Sequence, residues 1–459
     1  MNKKKEVESY NRFLKSSSYI FEPDNLIDVK SIIRNSVKDG MKLSIMGGGF
    51  SNNNNNVIND NNILNTNKLN KIKEYNKNDG VITVECGVKL KNIIDKTIVD
   101  GWFIHSCPGW MEITVGGAIV SNVHGKDCHR FGNFNNQLVS IKTIDSNLKI
   151  ENLDKNNKDF FNFFSTIGSH IIILEATIKL TKIRSYNIEK KTLPASNISD
   201  LINIFKNNLD SDYMVSWIDC YHKKNNTNTG RGIVYLGRYI NDYTKNYKSI
   251  NVSNMVFGIF PKKLFFKISK YFFNKITMNL FNTVFYYKNK FINKKTKIES
   301  LTDHIFIHNK IPSFRDIYGR KGFLEIQPIF KEDKAEKAIL QILKKCDEYN
   351  IQSTLTALKI HKKEINQLFN FSEDGFSIGF VFPVKELKKD KLNNLIDDIN
   401  NIILINEGLI YLAKDSTTNE KYFKKFFPNH NVYLDYREKY DKKRLFSSDA
   451  FERYFNSSV

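Results

Sequence analysis

The chain has 459 residues, 41% of them apolar and 13% aromatic, which is enough to build real cores and too aromatic for a disordered chain. The formal charge of +21 attracts phosphates and anionic surfaces. Lys, Asn and Ile are over-used together, as in residues 3–5 and 52–56, so compositional drift competes with that reading, and the absence of a basic-aromatic motif argues against nucleic acid.

In chain order, residues 25–36 carry Leu26, Ile27, Val29, Ile32 and Ile33 at helical spacing behind Pro23 and Asp24, which predicts a helix. Residues 42–46 read as a short strand running into Gly47, Gly48 and Gly49. Alternation over residues 81–86 predicts a strand and residues 89–99 a helix, and residues 171–180 form a β-branched strand ending at a boundary near Thr181. Beyond it, strands over 232–236 and 376–382 mix with a helix over 334–349, an α+β pattern.

Lysines break every apolar run in residues 255–291, so no membrane-crossing helix is expected there. Two readings stay open for this stretch: a helix pair packed on the domain, or a segment lying on a membrane with its lysines toward anionic head groups. Five cysteines, Cys86, Cys107, Cys128, Cys220 and Cys346, form no CxxC pair and suit a reduced cytoplasmic protein. The first ten residues are charged and lack the apolar run of a signal peptide, so export is not expected.

Gly47-Gly48-Gly49-Phe50-Ser51 permits a tight loop whose backbone N–H groups converge on phosphate oxygens. It has neither GxGxxG spacing nor the Gly-Lys-Ser/Thr of a P-loop, so by itself a simple turn explains it equally well. A second cluster shifts the balance: Pro108-Gly109, then Thr114-Val115-Gly116-Gly117-Ala118, then Asn122-Val123-His124-Gly125-Lys126. A flat aromatic cofactor needs such close backbone approach, Thr114 and Ser121 offer hydroxyls to a pyrophosphate, and His124 with Lys126 marks a site.

The segments GGGFS, VECGVKL, GWFIHSCPGW, TVGGAIVSNVHGKD, FGNFNNQL and LEATIKL, in this order, resemble the PCMH-type FAD-binding domain of the vanillyl-alcohol oxidase superfamily. The likeness continues through residues 318–327, 357–359, 411–416 and 444–449, toward the branch of that family that oxidises polyprenyl-phosphate-linked ribose. The resemblance implies an α+β chain with a two-part FAD-binding domain, residues 1–193 completed by the C-terminal segment 410–459, and an inserted α+β substrate domain over 194–409.

On the same resemblance FAD is held by Ile45, Met46, Gly47, Gly48, Gly49, Phe50, Ser51, Asn52, Asn53, Asn54, Asn55, Gly109, Thr114, Val115, Gly116, Gly117, Ser121, Asn122, Val123, His124, Ile172, Ile173 and Tyr411. Catalysis falls to Lys414, His124 and Lys126, and substrate binding to Tyr318, Gln327, Lys359 and Lys414; no metal is implied. Phe50 stands where some relatives attach flavin to a histidine, so the FAD is expected to be noncovalent.

The implied reaction is hydride transfer from a sugar hydroxyl carbon to flavin N5, at the 2-hydroxyl of a polyprenyl-phosphate-linked ribose. It would be the first half of an epimerisation to arabinose for cell-envelope polysaccharide, finished by an NAD(P)-dependent short-chain reductase, in the cytoplasm or at the inner membrane face. An oxidase of a free polyol or aldonolactone is the alternative, and a nonenzymatic basic scaffold is the reading from another class. Three departures bear on substrate identity: Asn52-Asn53-Asn54 where the family carries Tyr-Gly-Asp or a similar group, Gly379 where the branch carries a cysteine, and a short loop over residues 167–170.

Overall fold

The computed structural model describes residues 3–455 apart from 169, 226, 242–253, 257–258, 270, 272–273, 292–295, 308–313, 365–367 and 385–388. Ser169 of the short loop, and parts of the 255–291 stretch, therefore lie outside the described residues.

Among the described residues three larger sheets organise the chain. In the first, the strands Lys15–Phe21 and Leu43–Met46 flank Asn62–Asn65 in parallel, and Lys5–Glu8 adds an antiparallel edge. The helix Leu26–Lys38 joins two of these strands; it starts where the Asn25 side chain accepts from Asp28 N, and it buries Val29 and Ile33. The second sheet is antiparallel, in the order Ile72–Asn76, Val81–Glu85, Ile172–Lys179, Leu138–Ile144, Ile150–Asp154. Alternation in Val81–Glu85 sends Ile82 and Val84 into a core shared with Val29, Leu43, Leu64 and Ile172.

The helix expected over 89–99 spans Leu90–Thr97 and tightens into a 3-10 turn, Ile98–Asp100. Gly101 ends it at φ 79°, the left-handed conformation that glycine adopts without a Cβ clash. Past the expected boundary at Thr181, Thr181–Lys182 pairs with Trp102–Phe103, so the chain stays attached to the first half slightly longer than its pattern indicates.

Among the described residues the third sheet has nine strands, all drawn from residues 187–410 and all antiparallel. Its long members include Gly232–Tyr239, Leu355–His361 and Gly375–Pro383. The helices Ile198–Lys206, Glu332–Glu348 and Lys389–Ile405 supply Leu201, Ile339 and Leu395 to a second core with strand residues such as Ile378 and Phe380. Mixed helices and sheets make the chain α+β, as its pattern indicates.

The C-terminal segment returns to the first sheet: Leu43 N donates to Leu445 O at 2.9 Å and Ser447 N to Leu43 O at 3.2 Å, which pairs Phe446 with Leu43. All five cysteines are buried and free. Among the described residues no helix is long and apolar enough to cross a membrane; the 255–291 stretch holds the helices Lys262–Ser269 and Lys275–Phe291.

Candidate active site

A cavity of about 210 Å³ opens where the three sheets meet the C-terminal segment. Its floor is the loop after Leu43–Met46, with Gly47, Gly48, Gly49, Phe50 and Ser51 all lining it. Facing it are Gly109, Thr114, Gly116 and Gly117, the last three around the short helix Val115–Val120, where Thr114 caps by accepting from Gly117 N at 3.4 Å. A Cβ on Gly47 would lie 2.2 Å from Thr114 Oγ1, and one on Gly116 would lie 3.1 Å from Cys86 Cβ. The two glycine clusters therefore touch each other, and glycine is what lets them. Apolar walls come from Ile45, Ile113, Val120, Val123, Ile171 and Ile173.

At one end the cavity turns polar. Lys359, on the strand Leu355–His361, places Nζ 3.3 Å from His124 Nδ1. His124 Nε2 faces the Gln327 amide nitrogen at 3.1 Å, that nitrogen donates to Ser377 Oγ at 3.2 Å, and Ser377 Oγ lies 2.7 Å from His361 Nε2. Burial pushes Lys359 down to about 8, reinforced by the nearby charge of Lys414 and opposed by Cys128. Burial, together with Lys359, His361 and Lys414, holds the His124 imidazole well below its usual range and so neutral.

Lys414 also lines the cavity, with Nζ 2.5 Å from Glu325 Oε1. The other Glu325 oxygen accepts from Asn52 Nδ2 at 3.0 Å, so one carboxylate ties a cavity lysine to the glycine loop. Tyr411 closes the wall, its hydroxyl donating to Ser121 O at 3.0 Å and its ring 5.1 Å from His124 and 4.7 Å from Phe371.

The structure brings most of the expected residues to this cavity: Ile45, Gly47 to Ser51, Asn55, Gly109, Thr114, Gly116, Gly117, Ser121, Val123, His124, Ile173, Lys359, Tyr411 and Lys414. Others stand behind the wall. Strand alternation turns Ile171 and Ile173 to the cavity and Ile172 to the core. Met46 O accepts from Thr66 Oγ1 at 3.2 Å, and Val115 is fully buried. Asn53 Nδ2 donates to Leu412 O at 2.7 Å, Asn52 N to Ala413 O at 3.0 Å and Asn54 Nδ2 to Ser16 Oγ at 3.4 Å, so the asparagine run fastens the loop to the returning C-terminal segment and the first sheet.

Asn122 donates to Glu364 Oε2 at 3.0 Å. Lys126 Nζ donates to His304 O, and the Tyr318 hydroxyl lies 3.1 Å from Thr354 Oγ1 inside a small aromatic cluster, while Gln327 reaches the site through His124. Sequence reasoning missed Asn56, Thr66, Cys86, Pro108, Ile113, Val120, Gly168, Ile171 and Ala413 as lining residues. Ala413 and Cys86 lie within segments already singled out, whereas Thr66, the first residue of the 3-10 turn Thr66–Lys68, carries no local signal.

Residues 17–154 match the FAD binding domain family. Over 400 residues the chain is 24% identical to the decaprenylphosphoryl-beta-D-ribose oxidase of Mycolicibacterium smegmatis, covering 84% of this chain and 83% of that one. The chain is an FAD-dependent oxidoreductase. The oxidoreductase is also 24% identical over 148 residues to an uncharacterized protein in the mprA 5'region of Streptomyces coelicolor, 32% of this chain and 40% of that one.

The cavity of the oxidoreductase fits its cofactor. Two interlocked glycine clusters leave backbone edges without side chains in front of them, as a pyrophosphate needs, and the isoleucine and valine walls suit a flat ring. Asn56, which lines the cavity, has a buried Oδ1 with no donor among the described residues, the type of acceptor that a ribityl hydroxyl or a ring N–H satisfies. Among the described residues no cluster of His, Cys, Asp and Glu is placed to hold a metal ion.

Proposed function

We propose that the oxidoreductase oxidises the 2-hydroxyl of a ribose carried on a polyprenyl phosphate, the first half of an epimerisation to arabinose that a separate NAD(P)-dependent short-chain reductase completes. The observation that carries this reading is Lys359: a cavity lysine brought down to about 8 and seated against a neutral imidazole, beside a glycine-built cofactor cleft. The similarity to a relative whose name specifies decaprenylphosphoryl ribose supports the choice of sugar.

FAD, when bound, supplies the hydride acceptor. The side chains do the rest. Lys359 takes the proton of the substrate hydroxyl, for which a nitrogen poised near neutral pH is suited. His124 positions Lys359 and is itself held by Gln327. Lys414, fixed by Glu325, presents positive charge to the substrate and the cofactor edge and takes the binding role rather than that of base. Tyr411 shuts the site from its C-terminal side. Lys126 and Tyr318 shape the substrate side from behind its wall, through His304 and Thr354.

In this reading residues 1–193 and 410–459 form one FAD-binding unit with 194–409 inserted, supported by the pairing of Phe446 with Leu43 and the bond from Asn53 to Leu412. Attachment is noncovalent: Phe50 occupies the loop position after the glycines, and burial pushes the thiol of Cys86, the cysteine lining the cavity, up to about 12, which suppresses its nucleophilicity. The enzyme works in the cytoplasm, in peripheral contact with the membrane that carries its substrate.

Product analysis tests the reaction. After turnover with polyprenyl-phosphoryl ribose, reduction with borodeuteride should place one deuterium at C2 and yield both ribo and arabino epimers. Deuterium at another carbon, or oxidation confined to free polyols and lactones, would replace this substrate assignment.

A further inference from the structure

An amphipathic helix on a folded domain normally turns its apolar side inward. The helix Lys275–Phe291 also turns an apolar side outward. Its inward side carries Met278, Asn282, Tyr286 and Asn289, all buried. Two of these are anchored on a buried ion pair: Asn282 Nδ2 donates to Asp219 Oδ1 at 2.9 Å, Arg231 donates to Asp219 Oδ2 at 2.9 Å, and the Arg231 guanidinium lies 4.6 Å from the Tyr286 ring centroid. Thr283 adds an acceptor for Arg231 at 3.0 Å. Polar anchoring of one side leaves the other to solvent.

That outer side carries Ile276, Leu280, Phe281, Val284, Tyr287 and Phe291, with Ile276 81% exposed and Leu280 and Phe291 each 65%. Their spacing of three to four residues draws one stripe along the helix. On the preceding helix, Lys262–Ser269, Leu264 is exposed as well, and Tyr271 just beyond it. A contiguous apolar surface of this kind marks an interaction site in a soluble fold.

Charge selects the occupant. Among the described residues between Asn254 and Ile298, Lys262, Lys275, Lys288, Lys290 and Lys297 carry charge and none is acidic. A second copy of the chain would set these lysines against their own kind, whereas an anionic bilayer takes the apolar stripe into its interface and the lysines at its head groups. The surface also adjoins the site: Phe265 and Phe266 pack with Tyr318, Phe323 and Tyr10, and the Tyr10 ring lies 5.4 Å from that of Phe50, which lines the cavity.

We propose that the outward apolar face of Lys275–Phe291, with its flanking lysines, docks the protein on an anionic lipid bilayer beside the cavity. Its purpose rests on the lipid-linked substrate proposed above, while the docking itself is tested without any sugar. Full-length protein is sedimented with vesicles of phosphatidylcholine alone or mixed with phosphatidylglycerol. Wild type and the distant surface variant Ile405→Ser should bind the mixed vesicles, more weakly at high salt and weakly on phosphatidylcholine alone.

The variant Leu280→Ser/Phe281→Ser/Val284→Ser, its folding checked by retained flavin absorbance, should lower binding at least about tenfold. Lys288→Glu/Lys290→Glu, which leaves the apolar stripe in place, should lower it on the mixed vesicles too. Wild type that ignores anionic vesicles, or binding unchanged in both variants, would overturn the proposal. So would a dimer that the triple serine variant converts to monomer with no vesicle binding in either form, which would assign the face to a second copy.

Discussion

Lys359 Nζ and His124 Nδ1, brought together from strands and loops 235 positions apart, lie at 3.3 Å. A charged ammonium only donates, and so does the Gln327 amide nitrogen 3.1 Å from Nε2, while a neutral imidazole has a single accepting nitrogen, so protonated Lys359 competes with Gln327 for it. Losing that lysine proton frees the imidazole to change tautomer. The protonation state of one residue thus sets the hydrogen-bond direction of the next.

With Lys359 at about 8, the rate of flavin reduction by substrate should climb through a group of that value as pH rises, because the neutral amine is the form that accepts a proton. Lys359→Met should remove this inflection and slow reduction by about 100-fold or more, within the range for a lost general base. Lys359→Arg, permanently charged, should fail to restore it. A stopped-flow pH series reads all three, and an unchanged profile in Lys359→Met would move the base elsewhere.

Two glycines should respond oppositely to the same added methyl group. Gly47→Ala places a Cβ 2.2 Å from Thr114 Oγ1 and should cost the protein its flavin, measured as loss of visible absorbance after purification. Around Gly379 the nearest atom to an added Cβ is Glu325 Oε1 at 3.8 Å, an ordinary contact, so Gly379→Ala should keep its flavin and its stability within about 1 kcal/mol.

Acid should destabilise the fold before most carboxylates titrate. His124, His170, His304 and His361 are buried, and burial holds His170 and His361 at about 3, His304 at about 4 and His124 well below its usual value. The unfolded chain binds protons at these histidines below about pH 6.5 while the folded one does not, so stability falls as pH falls. Asp127 and Asp441, raised to about 6 by burial, work the other way, since the folded state takes up their protons first. His105, also held at about 4 by burial, joins the histidines, and Asp449, raised by burial, joins the aspartates. With five against three, denaturant unfolding should show a net loss of roughly 4 kcal/mol between about pH 7.5 and about pH 5.5. A flat or rising profile would mean these imidazoles reach water.

The sequence made the glycine clusters readable because Gly47 leaves no room for a Cβ beside Thr114 and Gly116 packs tightly on Cys86. It made Val81–Glu85 and Ile172–Lys179 readable because alternation reports which face is buried. What it hid is set by pairing across long separations. Ser377 and His361 join the site because Gly375–Pro383 lies antiparallel to Leu355–His361 with Ser377 opposite Lys359, a register that no local pattern encodes. The asparagine run fitted a cofactor loop by position, yet the side chains of Asn52, Asn53 and Asn54 face Glu325, Leu412 and Ser16, partners supplied by the fold. The helix Lys275–Phe291 has an amphipathic pattern, and only the buried Asp219 and Arg231 beneath it show which side faces out.

The central claim is that this cavity uses FAD to oxidise a lipid-linked ribose, and anaerobic spectroscopy tests it most directly. Purified protein should show an oxidised flavin spectrum, release the flavin on acid precipitation, and bleach when mixed with polyprenyl-phosphoryl ribose in the absence of oxygen. A flavin that stays oxidised with that substrate but bleaches with a free polyol or aldonolactone would contradict the account.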